Sequence, residues 1–270
     1  MIPDFTDRSI PQLVSLVDRV AVVTGGSRGT GSGIARRLSE AGAAVVVTDP
    51  DLDAAAAGAG ALSVSGRRVV GLGLDPTDER SVVVLADQVV AQLGRIDIWV
   101  NNAGVYPSTP VTEMSAAQWD EVLDLNLRGA FLGAREAARH MIAAGRGGVI
   151  VNIASTSAFR ASAPGLAHYV SSKFGLRGLT KALAVELGPH GIRVLGVAST
   201  FTATPGTRSR RVDLDDRAYG EYLSAAGAGK PLGRVGVPDD VGRVVLFCAS
   251  DLAALMTGST LAVDAGDLAR

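Results

Sequence analysis

Val20-Ala21-Val22-Val23-Thr24-Gly25-Gly26-Ser27-Arg28-Gly29-Thr30-Gly31 runs from β-branched residues straight into a turn crowded with glycine. A short continuous apolar run reads as a strand buried on both faces, as in a parallel sheet. The residues that follow, from Ser32 to Ala41, read as a helix, so the stretch predicts strand, tight turn and helix N-terminus. Glycines at 25, 29 and 31 let the backbone turn sharply and bring amides and the helix end against a pyrophosphate. The spacing differs from G-x-G-x-x-G, because Ile34 stands where a third glycine would fall, and a βα turn needs glycine even without a ligand. Asp49, closing the next strand, favours the ligand: a carboxylate there accepts from an adenosine ribose and repels a 2′-phosphate. Arg28 points the other way, since a cation beside the glycines could pair with that phosphate.

Working outward, similar apolar runs recur at Val45 to Thr48, Val69 to Leu74, Ile96 to Val100, Val149 to Ile153, Ile192 to Val197 and Leu261 to Val263. Helical patterns lie between them, at Leu52 to Val64, Glu79 to Leu93, Ala116 to Ala143, His168 to Leu187 and Asp239 to Ala249. Strict alternation predicts an α/β fold, a single doubly wound Rossmann-like domain with a seven-stranded parallel sheet covered on both faces. Residues 1–18 lack a clean period and read as a surface arm, leaving 19–270 as one domain with no linker inside it.

Composition narrows the function. With 26 Lys+Arg against 27 Asp+Glu the chain is nearly neutral, so neither nucleic acid nor an acidic membrane is expected as a partner. The one cysteine, Cys248, excludes an intrachain disulfide and fits a reducing compartment. The opening residues carry acids and a proline where a signal peptide needs basic then apolar residues, and no apolar stretch reaches membrane-spanning length. These features predict a cytoplasmic protein. His140, His168 and His190 lack ligand spacing, so no metal site is expected.

Two further segments carry chemistry. Tyr169-Val170-Ser171-Ser172-Lys173 sets a phenol and an amine one helical turn apart on one face. A phenol titrates near pH ~10, and bringing it to neutrality takes roughly 4 kcal/mol of differential stabilisation, more than one screened lysine supplies. A second cation is needed. Asn101-Asn102-Ala103-Gly104 follows the fourth strand directly, at the carboxyl edge where open α/β sheets bind ligands. Asp75, ending the third strand, could accept from an adenine amino group or simply form a turn.

In order and spacing, Thr24-Gly25-x-x-x-Gly29-x-Gly31, Asp49, Asn101-Asn102-Ala103-Gly104 and Tyr169-x-x-x-Lys173 resemble the short-chain dehydrogenase/reductase family. The resemblance covers residues 18 to 266 and includes Pro231-Leu232-Gly233-Arg234 and Val263-Asp264-Ala265-Gly266. It implies that Tyr169 is the general acid or base, and that Lys173 binds the nicotinamide ribose and lowers the tyrosine pKa. The oxidised nicotinamide would then be the second cation. Asn126 matches a helix asparagine that holds a relay water. Ser155 matches the substrate-orienting serine when counted from its strand, whereas counting back about 13 residues from the tyrosine lands on Thr156. Ser155 is preferred, because a strand end fixes geometry better than a loop does.

The resemblance also implies that a dinucleotide is held by Gly25, Ser27, Arg28, Gly29, Thr30, Gly31, Asp49, Asp75, Asn102, Ala103, Gly104, Tyr169, Lys173 and Thr204. NAD is favoured through Asp49, with NADP possible. Ser199-Thr200 departs from the family's Pro-Gly after the sixth strand, Leu195 replaces a common Asn, and Thr30 is polar where an Ile or Leu usually sits. Three functions are open: an NAD-dependent dehydrogenase or reductase of secondary alcohols and ketones, an NADP-dependent ketoacyl-thioester or polyketide-type ketoreductase, and a non-catalytic dinucleotide sensor or scaffold. The small-molecule alcohol or carbonyl substrate should be chosen by Tyr106 to Thr112, Phe159 to Gly165 and a lid at about 200–229. The lid mixes Arg208, Arg210, Arg211 and Arg217 with Asp213, Asp215, Asp216 and Glu221, which reads either as a solvated face or as a grip on an anion. The helices at Ala116 to Ala143 and His168 to Leu187 resemble those the family pairs between subunits, so a homotetramer or homodimer is expected.

Overall fold

A computed structural model describes residues 4–64, 66–161 and 163–269; Met1 to Pro3 of the arm and Ser162 of the Phe159 to Gly165 segment lie outside them. The chain runs α1 (Ile10–Val14), β1 (Val20–Val23), α2 (Gly29–Glu40), β2 (Ala44–Asp49), α3 (Leu52–Leu62), β3 (Val69–Gly73), α4 (Glu79–Leu93), β4 (Ile98–Asn101) and α5 (Ala116–Leu123). It continues through α6 (Gly129–Ala144), β5 (Gly148–Ser155), α7 (Ala167–Leu187), β6 (Ile192–Ser199), α8 (Pro205–Ser209), α9 (Asp216–Ala228), α10 (Pro238–Ala249) and β7 (Thr260–Val263). Every strand pairing is parallel, in the order β3-β2-β1-β4-β5-β6-β7.

Alternating side chains divide the core between the two faces. Val23, Val47, Val100 and Val151 pack with Ile34 and Leu38 of α2 and Val241 and Val245 of α10. Val22, Val46, Trp99 and Ile150 pack with Leu85 and Val89 of α4 and Leu132 of α6. Strand order reverses between β1 and β4, which opens a crevice at their carboxyl ends.

Three details differ from the sequence reading. The arm is not merely superficial, because Leu16 is fully buried in the first core cluster and Arg8 pairs with Asp251 at 3.0 Å. The single helix expected from Ala116 to Ala143 is interrupted by a π turn at Asp124–Arg128, placing the extra residue of a wide turn next to Asn126. The lid contains two helices of its own, α8 and α9.

Candidate active site

The glycine turn is built as its residues demand. Gly25 and Gly29 have φ of +61° and +57°, left-handed values that favour glycine, and a Cβ on Gly31 would stand 2.1 Å from the Gly25 carbonyl oxygen. These constraints let the turn fold tightly back on the N-terminus of α2, the arrangement that presents backbone amides to a phosphate, so the residues present fit a dinucleotide. Arg28 is the exposed N-cap of α2, its side chain making no capping bond. Ser27 donates its hydroxyl hydrogen bond to the Asp49 carboxylate at the end of β2. Thr204 caps α8 and lies against Gly29, so the start of the 200–229 segment packs on the turn that also contains Thr30.

On the β4 side, Asn102 Nδ2 donates to the carbonyls of Thr24 (2.8 Å) and Gly25 (3.1 Å). Thr24 Oγ1 accepts from the amides of Asn102 and Ala103, at 2.9 and 3.0 Å. This hydroxyl therefore fixes the geometry of the crevice, a role the sequence signalled only as a threonine preceding the glycines. Asn101 turns inward instead, with Nδ2 donating to Asn152 Oδ1 at 2.8 Å. Asp75 Oδ1 accepts from the amide and hydroxyl of Thr77, at 2.9 and 2.7 Å. The turn role weighed for Asp75 is thus the one its bonds describe, while its carboxylate remains at the exposed edge.

Tyr169, Lys173, Ser155 and Asn126 converge from α7, β5 and the π turn. Asn126 is buried, its side chain exchanging two 2.8 Å bonds with the Val105 backbone and donating to Ser172 Oγ at 3.2 Å. Ser172 in turn donates to the Tyr169 carbonyl. Gly104 touches the same cluster: a Cβ there would lie 2.9 Å from Asn126 Oδ1 and 3.8 Å from Lys173 Nζ. The Lys173 amine donates to the Ile153 carbonyl at 2.8 Å and stands 5.8 Å from the centre of the Tyr169 ring. Burial brings its pKa down to about 8.

For Tyr169, burial pushes the phenol above its ordinary value, while a hydrogen bond with the Ser155 side chain opposes that rise. The hydroxyl beside Tyr169 is therefore that of Ser155, the residue counted from the strand. Thr156 starts the short 3₁₀ turn Thr156–Ala158 and is buried. Tyr106 extends the cluster, its ring centre 6.0 Å from that of Tyr169. A separate cleft of about 770 Å³, lined by Arg95, Arg146 and Arg193, opens at the amino ends of β5 and β6 and contains none of these groups.

A parallel sheet with a phosphate-ready turn at its switch point, and nearby a half-buried phenol one helical turn from a buried amine, defines a dinucleotide-dependent enzyme fold. A family profile described as enoyl-(acyl carrier protein) reductase matches residues 25–267. The chain is 36% identical over 256 residues to 2-dehydro-3-deoxy-D-gluconate 5-dehydrogenase of Escherichia coli, covering 95% of this chain and 98% of that one. It is 38% identical over 253 residues to cis-4-hydroxycyclohexanecarboxylate dehydrogenase of Sinomonas cyclohexanicum, covering 93% and 97%. Among solved structures, one from Beutenbergia cavernae described as an NAD(P) dependent gluconate 5-dehydrogenase, with NADP bound at low occupancy, superposes with a TM-score of 0.85. That chain is 35% identical, with 96% of this chain and 100% of its own covered. The protein belongs to the short-chain dehydrogenase/reductase family. It is an NAD(P)-dependent oxidoreductase acting on alcohol or carbonyl groups.

Proposed function

We propose that the protein interconverts a secondary alcohol and its ketone at Tyr169, with NAD as the favoured cofactor. The observation that carries this reading is the convergence of Tyr169, Ser155 and Lys173, with Gly104 of the segment after β4 against the amine. Gly25, Ser27, Arg28, Gly29, Thr30 and Gly31 would hold the pyrophosphate end, Asp49 the adenosine ribose, and Asp75 the adenine. Asn102, Ala103, Gly104, Lys173 and Thr204 would hold the nicotinamide half. When bound, the dinucleotide supplies or accepts the hydride, and in its oxidised form it brings positive charge.

Tyr169 takes the hydroxyl proton as the alcohol becomes a ketone, or gives a proton to the carbonyl oxygen in reduction. Ser155 shares a hydrogen bond with that phenol and so can orient the same oxygen. Burial strengthens both interactions, because little water competes there. Asn126, held rigid by Val105, positions the π turn so that a water can relay protons between Lys173 and solvent.

Asp49 supports NAD by accepting from ribose hydroxyls and repelling a 2′-phosphate; its bond from Ser27 holds the carboxylate toward the glycine turn. The exposed Arg28 and the NADP in the Beutenbergia structure support the second reading, an NADP-dependent ketoreductase. Two of the relatives are named for hydroxy carboxylates, which makes a small polar alcohol a reasonable substrate. Exposed Trp119, Phe131, Phe174 and Val185 on α5, α6 and α7 support pairing of these helices in a homotetramer or homodimer. Cys248, a free thiol buried in the core, forms no disulfide, which supports a reducing, cytoplasmic setting. No helix of the described residues is long and apolar enough to cross a membrane.

Titration with both cofactors and a turnover assay test the proposal together. NAD should bind more tightly than NADP, and Tyr169→Phe should keep cofactor affinity while losing about 10²-fold or more in turnover. Tighter NADP binding would overturn the role given to Asp49; unchanged turnover would remove Tyr169 from the chemistry.

A further inference from the structure

Four arginines lie in the lid, and three are engaged within it. Arg208 pairs with Asp216 at 3.1 Å and lies over the Tyr219 ring. Arg211 lies over Tyr222 and hydrogen-bonds its side chain, and Arg217 pairs with Glu221 at 3.0 Å. Arg210 differs. It leaves the lid, donates from Nη1 to the Tyr106 carbonyl at 2.8 Å, and sets its guanidinium 3.8 Å from the centre of the Tyr106 ring. Among the described residues no carboxylate pairs with it.

The contact leaves the useful part of the side chain available. A guanidinium stacked on a ring uses its flat face, and its N–H groups point outward in its own plane. One of the five is engaged by Tyr106; the rest can still form the two-pronged bond that a carboxylate accepts. Tyr106 also fixes where this happens, because its ring lies 6.0 Å from that of Tyr169. The cation and the Tyr169 ring thus lie 3.8 and 6.0 Å from the centre of the same Tyr106 ring, which sets a positive charge at the edge of the pocket that contains the phenol.

We propose that Arg210 anchors the carboxylate of the substrate, so that the enzyme acts on small hydroxy or oxo carboxylates whose reacting carbon reaches Tyr169. Tyr106 is then the spacer between the anion and the reacting oxygen. This inference rests on the proton-transfer role proposed for Tyr169. The carboxylate lowers the free energy of binding, while the redox step is the one already described: hydride to or from the nicotinamide, proton to or from Tyr169.

The test compares 5-hydroxyhexanoate with its methyl ester in the presence of the preferred cofactor. The acid should exceed the ester by about ten- to hundredfold in kcat/KM, the range expected for one charge-assisted bond. Arg210→Gln should collapse that ratio toward one, and Arg210→Lys should retain part of it. A wild-type ratio near one, or a ratio that Arg210→Gln leaves unchanged, would overturn the inference. Calorimetric titration of hexanoate into the cofactor-saturated protein separates the two readings. Absence of turnover with every alcohol removes the role of Tyr169; hexanoate binding that is absent, or the same with Gln at position 210, removes the carboxylate anchor alone.

Discussion

Lys173 brings an amine into a pocket where its nearest polar partner is the Ile153 carbonyl, and burial lowers its pKa from 10.5 to about 8. Because the folded value lies below the unfolded one, the unfolded chain binds more protons between these limits, and stability contributed by this site rises with pH across them. Lys173→Met should abolish that rise, which urea melts of both proteins at pH about 8 and about 9.5 would reveal. Equal pH slopes would contradict the burial of a titrating amine. Tyr169 has the opposite sign: raised by burial, its contribution is present at lower pH and is lost only as pH climbs through its folded value. Cys248, raised from 9.0 to about 12 by burial, has the same sign as Tyr169 and acts within this window, so the lysine's share is read from the difference between the two proteins. The pair itself was legible in the sequence, since four residues of helix fix which groups share a face. The Ile153 bond and the packing of Tyr106, itself read as part of a substrate-choosing segment, against Tyr169 were not, because they join segments that meet only at the edge of the folded sheet.

Among the elements, the loop after β6 explains the unusual Thr200. Thr200 Oγ1 accepts from Lys230 Nζ at 2.7 Å and donates to Asp267 Oδ2 at 3.0 Å. Asp267 also meets Lys230 at 3.2 Å and Arg160 at 2.8 Å. Burial works to raise the Asp267 pKa, but hydrogen bonds from Thr200 and Lys230 hold it below the usual carboxylate range. One carboxylate near the C-terminus thereby ties the end of the lid to the loops after β5 and β6. Asp267→Ala should destabilise the protein by about 3–5 kcal/mol, because it leaves Lys230 charged and buried without its counterion. A denaturation midpoint unchanged from wild type would show that the network contributes little. None of this was visible in a threonine replacing a glycine, since its partners lie far along the chain. The lid helices escaped notice for a related reason: α9 buries only Gly227, so its sequence has no strong apolar stripe to find. The π turn was equally hidden, because each helical stretch on either side keeps its own 3.6-residue period and only the phase between them slips.

Across the whole molecule, the alternation of strands and helices made the architecture readable, as buried parallel strands must be written in almost uninterrupted apolar residues. A homotetramer or homodimer is expected from the resemblance alone. Phe174 is 44% exposed and Val185 81% exposed on α7, an apolar surface that pairing with a second copy would cover. Phe174→Asp should shift sedimentation toward smaller species while leaving the far-ultraviolet dichroism of the fold intact. A wild-type protein that sediments as a monomer would instead end the expectation of a homotetramer or homodimer.

The neck of the lid has a broader consequence. Gly236 donates to the Phe201 carbonyl at 3.0 Å and accepts from the Ala203 amide at 2.9 Å, pinching together the two ends of the excursion that contains α8 and α9. Once its ends are joined, extra length inside such a loop costs little additional closure entropy. Lengthening or shortening the segment beyond the α8 cap should therefore leave Thr204 and the strand ends beneath it in register.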